Sequence, residues 1–520
     1  MTSTSLRRVF GCALVLILGL AVAVSAQNAP RQQPPEVKDL TAAFRIQDPA
    51  AKLKEFERIK AAFPASQYMA MIDQNILGAK IELAGTLDAI LGLQKDMLAK
   101  SKGADRLQAP FVAADQILSH PKAKSFDAAK VLTAVLKYRD EAVKAAGETE
   151  TYQGVPAEQQ KDFKAYFLNG FQILIAGAQL RAGDAAKAQA ALDAYIKDGG
   201  ATDAAYSYTL AGVCEKTNKA KEAYEAYLNA ATEKYEDAAA KAKALYTKIN
   251  GKAEGFEAAL EAKLRELPYH PEPFQAPAGW SGKTVLAEVF TGSECPPCVG
   301  AALGFDGLIE AYPAKYLAVL EYHLPIPRPD PMINAATQKR QEYYGVNSTP
   351  STFFDGEAKL GGGGSRGMAG GKFKAYKAEI DPRIAALPAL VLKAKAVRTG
   401  DVIKVEYTAD KTVPGAEINV VLAQTVEKYA GSNGIVFHKM IVRDLAVLPA
   451  GTQSASFDLA ASEKAADEYL TNFEKTSTRF QGFKFPERHA KIDRKGLRIV
   501  VFAQVKDTKK VLNAVVLEVK

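Results

Sequence analysis

Cysteine is scarce in this chain. Four occur in 520 residues, Cys12, Cys214, Cys295 and Cys298, too few to staple a scaffold with disulfides. Packed cores must therefore hold the fold, and a cysteine that matters does so through its chemistry. Tryptophan is scarcer still, with Trp280 alone. Neither sign of charge dominates. The chain has 67 Lys and Arg against 59 Asp and Glu, a net +8, too mild over this length to point to nucleic acid. Beyond residue 26 no apolar run approaches the roughly 20 residues of a spanning helix, so no membrane span is expected in the mature chain. What is present is ordinary for soluble protein: 48% apolar and 24% charged residues, which excludes wholesale disorder, collagen and coiled coil. One core rarely grows past about 250–300 residues, so two to four domains are expected.

The first 26 residues read as an export signal. Arg7 and Arg8 precede an apolar run from Val9 to Val24, and Val24-Ser25-Ala26 offers small residues for cleavage after Ala26. Cys12 leaves with it. The mature protein is expected in the periplasm or outside the cell, an oxidising setting where a close cysteine pair becomes a disulfide.

Composition then divides the chain. Residues 27–48 are Gln- and Pro-rich and read as a flexible lead-in. Residues 49–267 are Ala-rich with helical periodicity. Within them Ala176-Gly177 recurs as Ala211-Gly212, Ala188 as Ala223 and Ala191 as Ala226, every offset being 35. This spacing resembles tetratricopeptide repeats, although the large aromatic signature positions are mostly missing. The resemblance implies paired helices and a surface for a protein partner. A generic helical bundle is the plainer alternative. Residues 268–282 hold four prolines and Trp280 and read as a linker. Residues 283–386 alternate strand and helix patterns. Residues 387–520 are strand-rich and read as a β-sandwich of immunoglobulin type.

The chemistry concentrates in Val285–Leu308. An apolar strand meets Cys295-Pro296-Pro297-Cys298, and an amphipathic helix follows. Two residues between cysteines at a helix start allow a reversible disulfide, and the helix N-terminus stabilises a thiolate. Half of a zinc site would show the same spacing, but no further Cys pair or His cluster follows to complete it. About 50 residues on, Thr349-Pro350 precedes the apolar strand Ser351–Phe354 and an Asp355-Gly356 turn. Together these two elements resemble the thioredoxin superfamily over about 110 residues.

That resemblance implies an α/β thioredoxin-like domain, no cofactor, and protein dithiols or disulfides as substrates. It implies that Cys295 is an exposed nucleophile and Cys298 the buried resolving cysteine. Pro350 becomes a cis-proline, with the Thr349 backbone facing substrate. Glu288, alone in an apolar strand, becomes a buried proton acceptor. Without a cationic partner its pKa should rise. An exposed glutamate on a half-buried strand is the other reading. His323, at the head of a Pro-rich loop, could relay protons or, less fittingly, join the cysteines on copper; a satisfied strand-end histidine is the plainer alternative. Glu294, Pro296 and Pro297 weaken thiolate stabilisation, whereas Thr349 before the proline resembles oxidising and isomerising members. These signals oppose each other on the direction of electron flow. Gly361–Gly371 lacks the P-loop ending, since Phe373 follows Lys372, and reads as a mobile loop. Cys214 and His438 read as structural.

Two functions follow. One is an exported thiol–disulfide oxidoreductase. The other is an envelope interaction scaffold, with helical repeats as the working part and a static or vestigial disulfide.

Overall fold

The computed structural model describes residues 34–519, apart from 150, 153–154, 156, 158–159, 360–361 and 449–451. The expected export signal and Cys12 lie outside the described residues. The chain divides between Ala253 and Glu254 into two compact units.

Among the described residues of the first unit, every regular element is a helix. It contains α1 (Pro35–Arg45), α2 (Pro49–Ala62), α3 (Met69–Leu83), α4 (Leu87–Lys100), α5 (Asp105–Leu118), α6 (Ala128–Glu148), α7 (Gln160–Arg181), α8 (Ala185–Lys197), α9 (Ala204–Lys216), α10 (Ala220–Ala231) and α11 (Ala238–Asn250). Side chains of Asp48, Thr86, Asp127, Asp184 and Asp203 cap the starts of α2, α4, α6, α8 and α9 by accepting backbone N–H bonds. The 35-residue spacing falls on neighbouring helices α7 to α10, where Ala176, Ala188, Ala211 and Ala223 are all fully buried. Small residues there let the helices approach closely. The lead-in differs from expectation. Pro35–Arg45 is a helix, and Leu40 and Ala43 pack on Phe56, Ile59 and Ile72. Its apolar residues recur at helical spacing, a pattern the Pro- and Gln-rich composition around it obscured.

The second unit starts with α12 (Phe256–Arg265). The Pro-rich segment after it is docked. Trp280 donates from Nε1 to Lys283 O at 2.9 Å and packs edge-on against Tyr316, while Phe274 stacks on Tyr312. Then follow β1 (Val285–Thr291), α13 (Cys298–Ala311), β2 (Leu317–His323), α14 (Ala335–Tyr344), β3 (Ser351–Phe354), β4 (Glu357–Lys359) and α15 (Ala369–Ala385). β1 and β2 are buried along their whole length, as strands covered on both faces are. They pair in parallel; β3 runs antiparallel to β1, and β4 to β3.

The remaining elements are β5 (Leu392–Thr399), β6 (Val402–Ala409), β7 (Ala416–Lys428), β8 (Phe437–Leu448), β9 (Ser454–Asp458), α16 (Leu459–Thr476), β10 (Leu497–Val505) and β11 (Val511–Val519). They do not form the separate sandwich expected over 387–520. β8 pairs in parallel with β2, so β7, β8, β10 and β11 extend the first sheet to eight strands, in the order β11-β10-β7-β8-β2-β1-β3-β4. That sheet curls until β11 meets the start of β1. Thr284 N donates to Asn513 Oδ1, and Val511 N to Asp355 O, both at 2.9 Å. A second, three-stranded sheet, β5-β6-β9, covers one face of the added strands through Ile403, Val405 and Phe457. Two packed layers do exist, but the larger is shared with β1 to β4. β-rich composition looks the same in either arrangement; pairing partners are what differ.

The shared sheet makes a direct prediction. Residues 283–386 alone would expose the β2 edge and lose Val442, Val500, Phe502 and Val511 from their core. That fragment should aggregate or stay unfolded, whereas 254–520 should unfold cooperatively in urea when followed by Trp280 fluorescence. A folded, monomeric 283–386 fragment by circular dichroism would contradict the shared core.

Candidate functional site

The site forms where β1 ends. Its chain leaves the sheet at Thr291, turns through Gly292–Pro297 and enters α13 at Cys298. Cys295 and Cys298 are joined as a disulfide with their Cα atoms 5.4 Å apart. The Thr349–Pro350 peptide is cis. Thr349 meets the pair directly: its hydroxyl donates to Cys295 Sγ at 3.3 Å, and its carbonyl oxygen lies 3.7 Å from that sulfur. The same hydroxyl also bonds Ile326 O at 2.9 Å, tying the Pro-rich loop to the site. The structure therefore brings Cys295, Cys298, Thr349 and Pro350 together. It departs from expectation on exposure, because neither cysteine has any accessible surface.

A buried polar cluster supports the turn. Asp330, from the Pro-rich loop, accepts from Ser293 N (2.6 Å), Ser293 Oγ (2.8 Å) and Met332 N (2.8 Å). His323 Nδ1 lies 2.9 Å from the same carboxylate. Burial pushes the Asp330 carboxyl up, but His323 and the N–H groups of Ser293 and Met332 outweigh burial and hold it at about 2. His323 is thus a fully buried histidine at the strand end, anchored on one nitrogen. Its Nε2 has no hydrogen-bond partner and sits 4.0 Å from Glu321 Oε2. The His438 ring packs edge-on against it at 5.0 Å, and His438 Nε2 reaches Tyr429 O at 3.0 Å.

Glu288 does not sit as expected. It is buried, but it has a cationic partner: Arg340 of α14 bonds both its oxygens, at 2.8 and 2.9 Å, and the Tyr322 and Tyr344 hydroxyls complete the shell at 3.0 and 2.6 Å. It also faces the wrong way. Side chains alternate along a strand; Glu288 shares a face with Tyr322 and α14. Helix α13 lies on the other face, where Phe305 stacks on Phe354. The carboxylate on that α13 face is Glu321 of β2. Burial, reinforced by Asp306, pushes its pKa well above the ordinary range, and Oε1 has no hydrogen-bond partner. Glu321 carried the same sequence signal as Glu288, one acidic residue in an apolar strand. Asp330, flanked by prolines, carried no signal of its own. Arg340 sits in a polar helix stretch and looked like surface.

The Gly-rich segment is no free loop where it is described. Gly364 N donates to Pro297 O, and Gly300 N donates to Gly364 O, both at 2.8 Å. Cys214 is a free, buried thiol in α9. Among the described residues, no group of three or more His, Cys, Asp or Glu side chains is arranged to hold a metal ion, and no helix is long and apolar enough to cross a membrane.

Comparison with known proteins adds little. No family model matches the chain, and no curated protein does. Among solved structures, HBP35 of Porphyromonas gingivalis is similar at 14% identity, over 47% of this chain and 77% of its own, with a TM-score of 0.31. A likeness of that size carries no argument.

Two predictions follow. Glu288→Gln leaves Arg340 buried without its counter-charge and should cost about 3–5 kcal/mol in urea unfolding. It should leave the pH dependence of Cys295–Cys298 reduction by dithiothreitol unmoved; a shifted dependence would restore Glu288 as a proton acceptor. The second concerns His438. Burial, then the charge of His323, pushes its pKa down to about 3, against smaller pulls from Asp330, Tyr429 O and Glu427. The unfolded chain therefore binds more protons below pH ~6.5, and stability falls as pH drops from there towards 3, by about 1.4 kcal/mol per pH unit for this one group. Urea titrations between pH 7 and 4, read by Trp280, should fall more steeply for wild type than for His438→Gln. Parallel slopes would exclude His438 as the source.

Proposed function

We propose that this chain is a thiol–disulfide oxidoreductase with a thioredoxin-like centre, working outside the cytoplasm on protein disulfides. The observation that carries the reading is the disulfide at the head of α13 with the Thr349 carbonyl and hydroxyl against Cys295 Sγ. The Cys295 thiolate attacks a substrate disulfide, forms a mixed disulfide and releases one substrate thiolate. Cys298 then attacks Cys295 Sγ, closes the pair and releases the second. Two electrons pass to the substrate; the reverse sequence oxidises it. Cys295 is the sulfur beside Thr349, which suits it as the attacking group, and the backbone before Pro350 suits pairing with an extended substrate strand. His323 and Glu321, buried with unpartnered atoms, are the groups that suit proton exchange. The first unit, with its tetratricopeptide-like spacing, would engage a protein partner.

The complete burial of both cysteines favours a second reading, a static disulfide in an interaction scaffold. Trapping separates the two. Cys298→Ser should accumulate mixed disulfides with protein substrates, visible as adducts that dithiothreitol removes. Cys295→Ser should form none and should reduce insulin at only the uncatalysed rate. No adduct with either variant, together with unchanged insulin reduction, would leave the scaffold reading standing.

A further inference from the structure

Two chain segments from elsewhere in the second unit close on the loop that carries the disulfide, beside Thr349, which touches Cys295 Sγ itself. Pro296 is exposed beside it, yet Cys295 and Cys298 have no accessible surface. The first segment is the tip of the β7–β8 hairpin. Asn433 N donates to Ser293 O and its side-chain amide to Gly292 O, both at 3.1 Å; Ser432 N donates to the Glu294 carboxylate at 3.2 Å. A Cβ at Gly431 would lie 2.4 Å from Ser293 O. The second segment is the strap Gly362–Ser365, bonded to Pro297 O and Gly300 N. A Cβ at Gly363 would lie 2.3 Å from Pro297 O. In both places the absence of a side chain is what allows the segment to close on the cysteine loop.

A thiolate must reach a disulfide sulfur to attack it, and a sulfur without accessible surface cannot be reached. We propose that the hairpin tip and the glycine strap form a gate, and that the pair reacts only in a minor open state in which they have lifted from residues 292–300. The tip and the strap are tied to the loop by a few hydrogen bonds, while Ile435 behind the tip stays packed on Val299 and Leu303, so lifting the tip and strap alone is a local event, distinct from global unfolding. The inference rests on the redox reading for its purpose, but not for its test.

The test is reduction of the full-length protein by dithiothreitol under native conditions, with acid quenching and mass-tagging of free thiols against the constant background of Cys12 and Cys214. The two thiols of dithiothreitol become its cyclic disulfide, while the Cys295–Cys298 bond takes two electrons and two protons. The wild-type rate should rise with dithiothreitol and then level off at the opening rate. Gly431→Ala and Gly363→Ala should each raise that plateau about tenfold or more, as expected for removal of closing bonds. Gly371→Ala, where a Cβ meets nothing within 4 Å, should leave it unchanged. One common slope, linear in dithiothreitol, for all four proteins would overturn the gate. So would a pair that stays oxidised in all of them, or variant rates that track urea unfolding of Trp280. The redox reading fails separately: the opened variants would be reduced yet form no mixed disulfide with a protein.

Discussion

The second unit depends on one buried ion pair. Arg340 of α14 holds both oxygens of Glu288 on β1 and, with Nη1, Gln504 Oε1 on β10 at 2.7 Å. Two charges removed from water need excellent geometry to repay their desolvation. Here the carboxylate has four donors, and the Tyr344 hydroxyl is shared among Arg340, Glu288 and Gln504. Satisfying those groups requires β1, α14 and β10 to meet at one point. That demand is compatible with the curled sheet and incompatible with C-terminal strands that fold by themselves.

The same constraint shows what the sequence could and could not convey. Local signals survived well. β3 was legible to the residue, because an apolar run bounded by turns is read from neighbours in the chain. The cysteine pair, Thr349 and Pro350 were legible because their spacing is itself the signal. What failed was everything decided by pairing across distance. Glu288 looked uncompensated because Arg340 lies 52 residues away. The C-terminal strands looked independent because β2 finds β8 more than a hundred residues later. Glycine at 363 and 431 looked like loop composition; a close approach by another segment leaves no mark in the flanking sequence.

The two carboxylates in apolar strands show how much one residue of register decides. Glu288 and Val289 pair with Leu320 and Glu321. A single step along the strand therefore puts one acid against an arginine and two tyrosines. It puts the other on the face of α13, where burial pushes its pKa well up. Composition treats them as equivalent, and the pleat does not.

The hairpin tip that bonds the cysteine loop also bears on how the centre is assembled. Gly292 and Asn433 are 141 residues apart, and closing so long a span costs more chain entropy than a local contact does. Until β7 and β8 join the sheet, the cysteine loop lies open to any oxidant. A bond between Cys295 and Cys298, three residues apart, needs no such span and can close before the hairpin tip is in place.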